Sequence, residues 1–231
     1  MSPDAIESHY RVAVLPEQPT TLSAVEFDPA LVPGMRPGGM RHSLYNTLVT
    51  PRPIGWISTI SARGVVNLAP FSFFNSVSGE PPCVMYCVNG THSEGGPKDS
   101  LANVREVGEF VFNLCSFELK EQMNLSSASL PRSVNEMAEA GLTAATCVKV
   151  RPPRVEASPI ALECEVHDII TLPSTETVIN TMVIGRVVYI HIADRVIVDG
   201  MVDSNLVRPL ARLGYQDYAA LKDAFALTRP S

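Results

Sequence analysis

Residues 51–75, PRPIGWISTISARGVVNLAPFSFFN, constrain the fold more tightly than any other stretch of the chain. Ile54, Trp56, Ile57, Thr59 and Ile60 make a β-rich run. Ser61-Ala62-Arg63-Gly64 then supplies a turn, with Gly where a positive φ is needed, and residues 65–68 start a return strand. The sequence next predicts an apolar loop, Ala69-Pro70-Phe71-Ser72-Phe73-Phe74-Asn75. A hairpin tip has no use for three aromatic rings beside Asn67, Ser72 and Asn75. The rings fit either of two roles. They pack in a core or an interface, as apolar clusters usually do. Or they form flat walls for a planar heteroaromatic ligand that a few polar groups hold in place.

From residue 48 onward β signals dominate. Candidate strands cover residues 49–61, 65–69, 83–88, 110–114, 160–172 and 177–191, most of them separated by turn residues. Short helices are expected between them. One runs from a cap at Asp99 or Ser100 to Val107 and is closed by Gly108. A second covers residues 118–124. A third starts at Ser133, where Ser133-x-x-Glu136 reads as a capping box, and stops at Gly141. A C-terminal helix is expected over residues 215–226. Residues 1–40 carry Pro3, Pro16, Pro19, Pro29, Pro33 and Pro37. They read as an irregular arm, packed on the body or on a neighbouring subunit, ahead of one domain at residues 41–231. Many strands with a few short helices predict a mainly β fold, a closed or split barrel with short helical excursions.

Composition narrows the function. A chain of 231 residues that is 45% hydrophobic can bury the core of one large domain. Its 18% charged residues fall below the usual quarter or so, which suits surface hidden in an oligomer. The net charge is −6 and there is no basic run, so nucleic acid and anionic membrane are poor partners. The first residues carry Asp4 and Glu7 and lack the apolar stretch of a secretory signal. No apolar run approaches the ~20 residues that span a bilayer. A cytoplasmic location is the expectation. The five cysteines show no scaffold pattern. Cys83 and Cys87 share a strand face but stand ~13 Å apart at ideal strand rise, too far for a disulfide or a shared metal. The five histidines form neither HxxxH nor HExxH, and no metal site is expected.

The second informative stretch is GTHSEGGPKDS, residues 90–100. A P-loop reading fails, because Gly96-Pro97 stands where Lys-Ser/Thr belongs, and no GxGxxG is present. What remains is a Gly-rich loop entering a helix, with Lys98 and Ser100 at the first turn. Such a helix start favours an anion, for instance a phosphate monoester. The alternative is an ordinary cap with Lys98 in solvent.

Taken in order, PRPIGWIST, the 67–75 segment, Pro81-Pro82, Lys98-Asp99-Ser100, GEFVFNL at 108–114 and AGLT at 140–143 resemble the flavin reductase-like proteins. SPIALEC at 158–164, VIGRV at 183–187 and PLARLG at 209–214 continue the series, which spans residues 45–218. These proteins are FMN-binding split barrels and include flavoredoxin. The resemblance implies an FMN-binding split β-barrel, and a homodimer with the cofactor near the subunit interface. It implies flavin contacts from Trp56, Ser58, Thr59, Asn67, Leu68, Ala69, Pro70, Phe71 and Ser72, and phosphate contacts around Lys98, Asp99 and Ser100. Ser58 and Thr59 equally suit routine strand positions, and Trp56 equally suits a buried core. By the same resemblance residues 124–127 fall near the cofactor or the interface, and the partner of Arg212 stays open. His191, with Asp194 behind it, reads as a surface turn. The implied activity is FMN-dependent oxidoreduction, with NAD(P)H giving hydride to bound FMN and no catalytic side chain demanded. The resemblance leaves the acceptor open. Reduced flavin could pass to a monooxygenase, to an electron-transfer partner as in flavoredoxin, or to a small organic substrate. A non-catalytic FMN-binding module is the remaining alternative.

Overall fold

The computed structural model describes residues 24–230, and the chain divides into two compact units, Met1–Leu44 and Tyr45–Ser231. The described part of the first unit holds two three-residue 3-10 turns, Pro33–Met35 and Pro37–Gly39. The arm expected over residues 1–40 therefore lies outside the described residues as far as residue 23.

The second unit opens with α1 (Tyr45–Leu48), β1 (Arg52–Pro53), β2 (Gly55–Ile60), β3 (Val66–Phe71), β4 (Phe74–Gly79) and β5 (Pro82–Asn89). α2 (Asp99–Val107), β6 (Glu109–Leu114), α3 (Lys120–Leu125) and α4 (Glu136–Glu139) follow. Next come β7 (Ala144–Ala145), β8 (Arg154–Val155) and the two long strands β9 (Ile160–Thr171) and β10 (Asn180–Ile192). β11 (Ile197–Val198), β12 (Met201–Val202), α5 (Ser204–Val207), β13 (Leu210–Gly214) and β14 (Asp217–Ala220) complete it.

Seven strands form one antiparallel sheet in the order β3-β2-β6-β9-β10-β5-β4. β3 and β4 are its two edges, yet only Ser72 and Phe73 separate them in sequence. Three Cα steps reach about 11 Å. The opposite edges must therefore come together, and the sheet curls into a nearly closed barrel. Its interior is aromatic. Phe74 stacks on Phe112 with centroids 4.5 Å apart, Phe71 lies 4.9 Å from Tyr86, and Tyr86 meets Phe110 edge-on at 5.2 Å. Ile57, Val84, Val88, Val104 and Val183 fill the space around the rings. Two glycines make room for them. A Cβ on Gly55 would lie 2.4 Å from the Phe74 ring, and one on Gly185 would lie 2.3 Å from the Phe110 ring.

A second apolar layer lies on the outer side of β2 and β3. Trp56 and Leu68 pack there with Met123 of α3, Met137 of α4 and Leu210 of β13. β1, β13 and β14 make a small three-stranded sheet beside it. Among the described residues no helix is long and apolar enough to cross a membrane.

The expected strands are present with ends moved by a few residues, and four expectations need correction. Residues 69–75 are not a loop, because β3 runs to Phe71 and β4 restarts at Phe74. α2 is capped by neither Asp99 nor Ser100. Lys98 holds the N-cap position in extended conformation, and no side chain bonds the helix start. α4 is a single turn capped by Asn135, whose Oδ1 accepts the Met137 and Ala138 N–H groups. The Ser133–Glu136 capping box does not form. The C-terminal helix is absent, since Asp217–Ala220 pairs with β13 as a strand and residues 221–230 have no regular structure. Cross-strand pairing there outweighs the helix propensity of the alanines.

Candidate functional site

A cleft of about 140 Å³ opens where β3, the start of α2 and the segment after α3 meet. β3 contributes Asn67, Ala69, Pro70 and Phe71. The Gly-rich loop adds Thr91, His92 and Ser93, α2 adds Lys98 and Asp99, residues 126–130 form the far rim, and Glu136 closes the floor. Because β3 is an edge strand, one of its edges has no strand partner in the sheet. A neighbouring cleft shares Asn67 and Asp99 and adds Ser61, Arg63, Asn103, Glu106 and Arg132.

The walls are held by buried hydrogen bonds. Asn67 Nδ2 donates to Ser100 Oγ at 2.9 Å and to Thr59 Oγ1 at 3.3 Å, and Asn103 Nδ2 donates to the same Thr59 oxygen at 3.0 Å. Thr59, Asn67 and Ser100 thus meet as one network that ties β2 and β3 to α2. Arg132 fixes the Gly-rich loop. Its guanidinium pairs closely with Asp99 and donates to Gly95 O at 2.6 Å and Pro97 O at 2.9 Å. His92 Nδ1 accepts the Glu94 N–H at 3.0 Å, so Nε2 carries the proton. That proton faces Leu130 O at 3.2 Å, with Asp99 Oδ2 at 3.4 Å. Trp56 Nε1 donates to Ser126 Oγ at 2.9 Å and so anchors the far rim from beneath.

The residues singled out from sequence fall into three groups. Asn67, Ala69, Pro70, Phe71, Lys98 and Asp99 line the cleft. Trp56, Thr59, Leu68 and Ser100 are buried just behind it and support its walls. Ser58 lies deeper, where it donates to Pro153 O at 2.6 Å and accepts from Asn113 Nδ2 at 3.1 Å, and Ser72 sits in the β3–β4 connection outside the lining. Arg212 is away from the cleft, stacked on Tyr218 with its guanidinium carbon 4.4 Å from the ring centre.

Among the residues that the sequence reading gave no place in the site, His92 and Glu136 line the cleft and Arg132 lines the adjoining one. Glu136 is buried and accepts the Leu68 N–H on Oε2 at 3.2 Å. Burial pushes its carboxyl above the ordinary range and the charge of Asp99 adds to this, against the pull of its own N–H and that of Leu68.

A second polar cluster lies elsewhere, formed by Cys147, Glu163 and His191. Spacing gave no hint of it, although His191 does lie near the end of a strand, β10, as the 177–191 strand expectation has it. The Glu163 carboxylate is fully buried. Oε1 accepts from Val148 N at 2.7 Å and faces His191 Nε2 at 2.6 Å, and Oε2 accepts from Lys149 N at 2.6 Å and Val150 N at 3.2 Å. Burial would raise its pKa, but these donors outweigh it and hold the carboxyl below its ordinary range. Burial and the neighbouring Glu163 push the Cys147 thiol up to about 12, so it stays protonated. The carboxylate's acceptor positions are taken, and the cluster straps the segment after β7 onto β9.

The sequence profile described as "Flavin reductase like domain" matches residues 47–207. The chain belongs to the flavin reductase-like family. An uncharacterized protein of Halalkalibacterium halodurans is 38% identical over 189 residues, covering 79% of this chain and 88% of its own. The crystal structure of nitrilotriacetate monooxygenase component B from Bacillus cereus superposes with a TM-score of 0.80 at 28% identity, over 90% of this chain and 100% of that one. The 2-nitrobenzoate 2-nitroreductase NbaA of Pseudomonas fluorescens gives 0.70 at 28% identity, over 81% and 89%. The mainly β split barrel expected from the sequence is thus the architecture of this flavin reductase-like protein. Its cleft lies wholly within the matched region.

Proposed function

We propose that this protein binds FMN in the β3–α2 cleft and acts as an FMN-dependent oxidoreductase. One observation carries the reading. The cleft joins a flat apolar wall, Ala69-Pro70-Phe71, to an uncapped helix start bearing Lys98. The Lys98 carbonyl accepts the Leu101 and Ala102 N–H groups of the helix, but its ammonium makes no hydrogen bond or ion pair with another described residue. That donor set fits a planar ring with an anionic tail. Unpaired N–H groups and the positive end of α2 would meet the phosphate alongside the ammonium. The Thr59–Asn67–Ser100 network would keep the wall rigid, and Arg132 would hold the Gly-rich loop in place. When bound, the flavin supplies the redox chemistry, accepting hydride from NAD(P)H and passing electrons on. The chain's own work is to bind, orient and exclude water.

The test is a visible spectrum of the purified protein, with and without added FMN, followed by NADH and NADPH oxidation. About one FMN per chain and pyridine nucleotide oxidation are expected. A chain that stays colourless after incubation with excess FMN and FAD removes the reading. The acceptor is open to two outcomes that the relatives suggest. One neighbour is a monooxygenase component and the other a nitroreductase. Nucleotide oxidation that needs only free flavin supports the first, and oxidation that needs a nitroaromatic supports the second.

The same reading includes a homodimer. Ile190 and Ile192 of β10, Ile197 and Val198 of β11 and Met201 and Val202 of β12 are all exposed. Exposed apolar surface of this kind marks an interaction site, and a second copy is the simplest occupant. Light scattering should give about twice the 25.0 kDa chain mass. A clean monomer that still binds FMN tightly would reject the dimer and leave the cleft standing.

A further inference from the structure

We propose that Glu136 is a specificity-determining ligand of the cleft, its carboxyl group donating a hydrogen bond to an acceptor on the flavin ring. The proposal rests on the FMN reading and goes beyond it, because that reading needs no acidic side chain.

Three observations converge on this residue. Its side chain is buried, 5% exposed, and it borders the cleft. One oxygen is pinned by the Leu68 N–H at 3.2 Å, while the other makes no hydrogen bond with another described residue. It makes no ion pair, although the charge of His92 pulls against the upward shift. Arg132 is committed to Asp99, Gly95 and Pro97, and His92 turns its N–H toward Leu130 and Asp99. The charged and titratable groups that share the cleft with it are Lys98 and Asp99 at the start of α2 and His92 from the Gly-rich loop, while Arg132, from the segment before α4, lines the adjoining cleft. The β3 face offers none.

A buried carboxylate without a cation is costly, and a carboxylate beside Asp99 is more so. Burial, with Asp99 adding to it, favours the neutral acid. A neutral carboxylic acid has one acceptor oxygen and one O–H donor. The Leu68 N–H and the residue's own N–H use the acceptor oxygen, and the O–H is left for the cleft. The flavin ring presents acceptors at its carbonyls and ring nitrogens. Ionised, the same group would turn a lone pair and a negative charge on those acceptors.

The sign follows. Affinity for the flavin ring is full while Glu136 is protonated and falls as pH rises through its elevated pKa. Riboflavin is the cleaner probe, because the FMN phosphate itself titrates near pH 6 or so. Dissociation constants for riboflavin and FMN should be measured from quenching of flavin fluorescence across the acid-to-alkaline range. Wild type, Glu136→Gln and Glu136→Ala are compared. Glutamine keeps an acceptor for Leu68 and a donor for the cleft but cannot ionise. Its profile should be flat, within about threefold of the wild-type acid limb. Alanine should also be flat and about tenfold weaker throughout. Wild type should lose affinity with rising pH for both ligands. A flat wild-type profile overturns the proposal and leaves FMN binding intact. A pH step that persists in Glu136→Gln also overturns it, since a group other than Glu136 would then be responsible. Failure of wild type to bind either flavin at any pH removes the FMN reading, and this proposal with it.

Discussion

Replacing Lys98 with alanine is expected to weaken FMN binding by about 10- to 150-fold while leaving riboflavin nearly untouched. The reasoning begins at the helix start. Lys98 occupies the N-cap position of α2 in extended conformation, and no side chain satisfies the first N–H groups. An ammonium placed there adds a charge-assisted hydrogen bond to the phosphate, worth roughly 1.5–3 kcal/mol. At 1.4 kcal/mol per tenfold, that is the stated range. Riboflavin shares the ring and the ribityl chain but has no phosphate. The two ligands therefore separate a phosphate contact from damage to the pocket. Both are titrated into wild type and mutant at one salt concentration, because the contact is partly exposed and screened. Equal losses for the two would mean that Lys98 supports the loop. No loss for either would pass the phosphate to another cation, and Arg63 in the adjoining cleft is the first to examine.

This site was legible in sequence where its signals are local. The Gly-rich loop running into Lys98-Asp99-Ser100 marks a helix start whatever surrounds it, and the structure puts Lys98 and Asp99 on the cleft wall. The β-branched run before Gly64 marks a hairpin for the same reason. Positions whose role depends on distant partners were misread. Glu136 looked like half of a capping box with Ser133, yet its carboxyl oxygen accepts the N–H of Leu68, 68 positions away. Phe71 and Phe74 read from the sequence as part of an apolar loop. What orders them is the barrel closing between two edge strands, and no local pattern records that. Phe71 packs on Tyr86 inside the barrel and also borders the cleft. Trp56 lies fully in the core, but its indole N–H reaches Ser126, so a core residue sets the position of the rim. In IALECEV, Glu163 reads as one more polar strand position, because the backbone N–H groups it binds belong to a segment with no regular structure.

Glu163 therefore carries the largest expected effect on stability. Glu163→Ala removes the acceptor for the Val148, Lys149 and Val150 N–H groups and for His191, and leaves those donors buried or half-buried without a partner. Removing one side of a buried charged network typically costs about 3–5 kcal/mol. Glu163→Gln tests whether charge or only volume matters. The amide fills the same space, but its NH₂ group replaces an acceptor oxygen and faces other donors. It should cost nearly as much as alanine, and a variant within about 0.5 kcal/mol of wild type would reject this account. The pH dependence fixes the sign. Burial would raise the Glu163 pKa, but its hydrogen bonds hold it below the ordinary carboxylate value. The unfolded chain titrates near that ordinary value, about 4.3. Glu163 then contributes its full stabilisation above the unfolded pKa, and loses it as pH falls through the folded one. Urea unfolding at fixed protein concentration, at neutral pH and below the carboxylate range, should show a wide gap between wild type and Glu163→Gln that narrows in acid. A gap that persists unchanged in acid would assign the loss to packing rather than to the charged carboxylate.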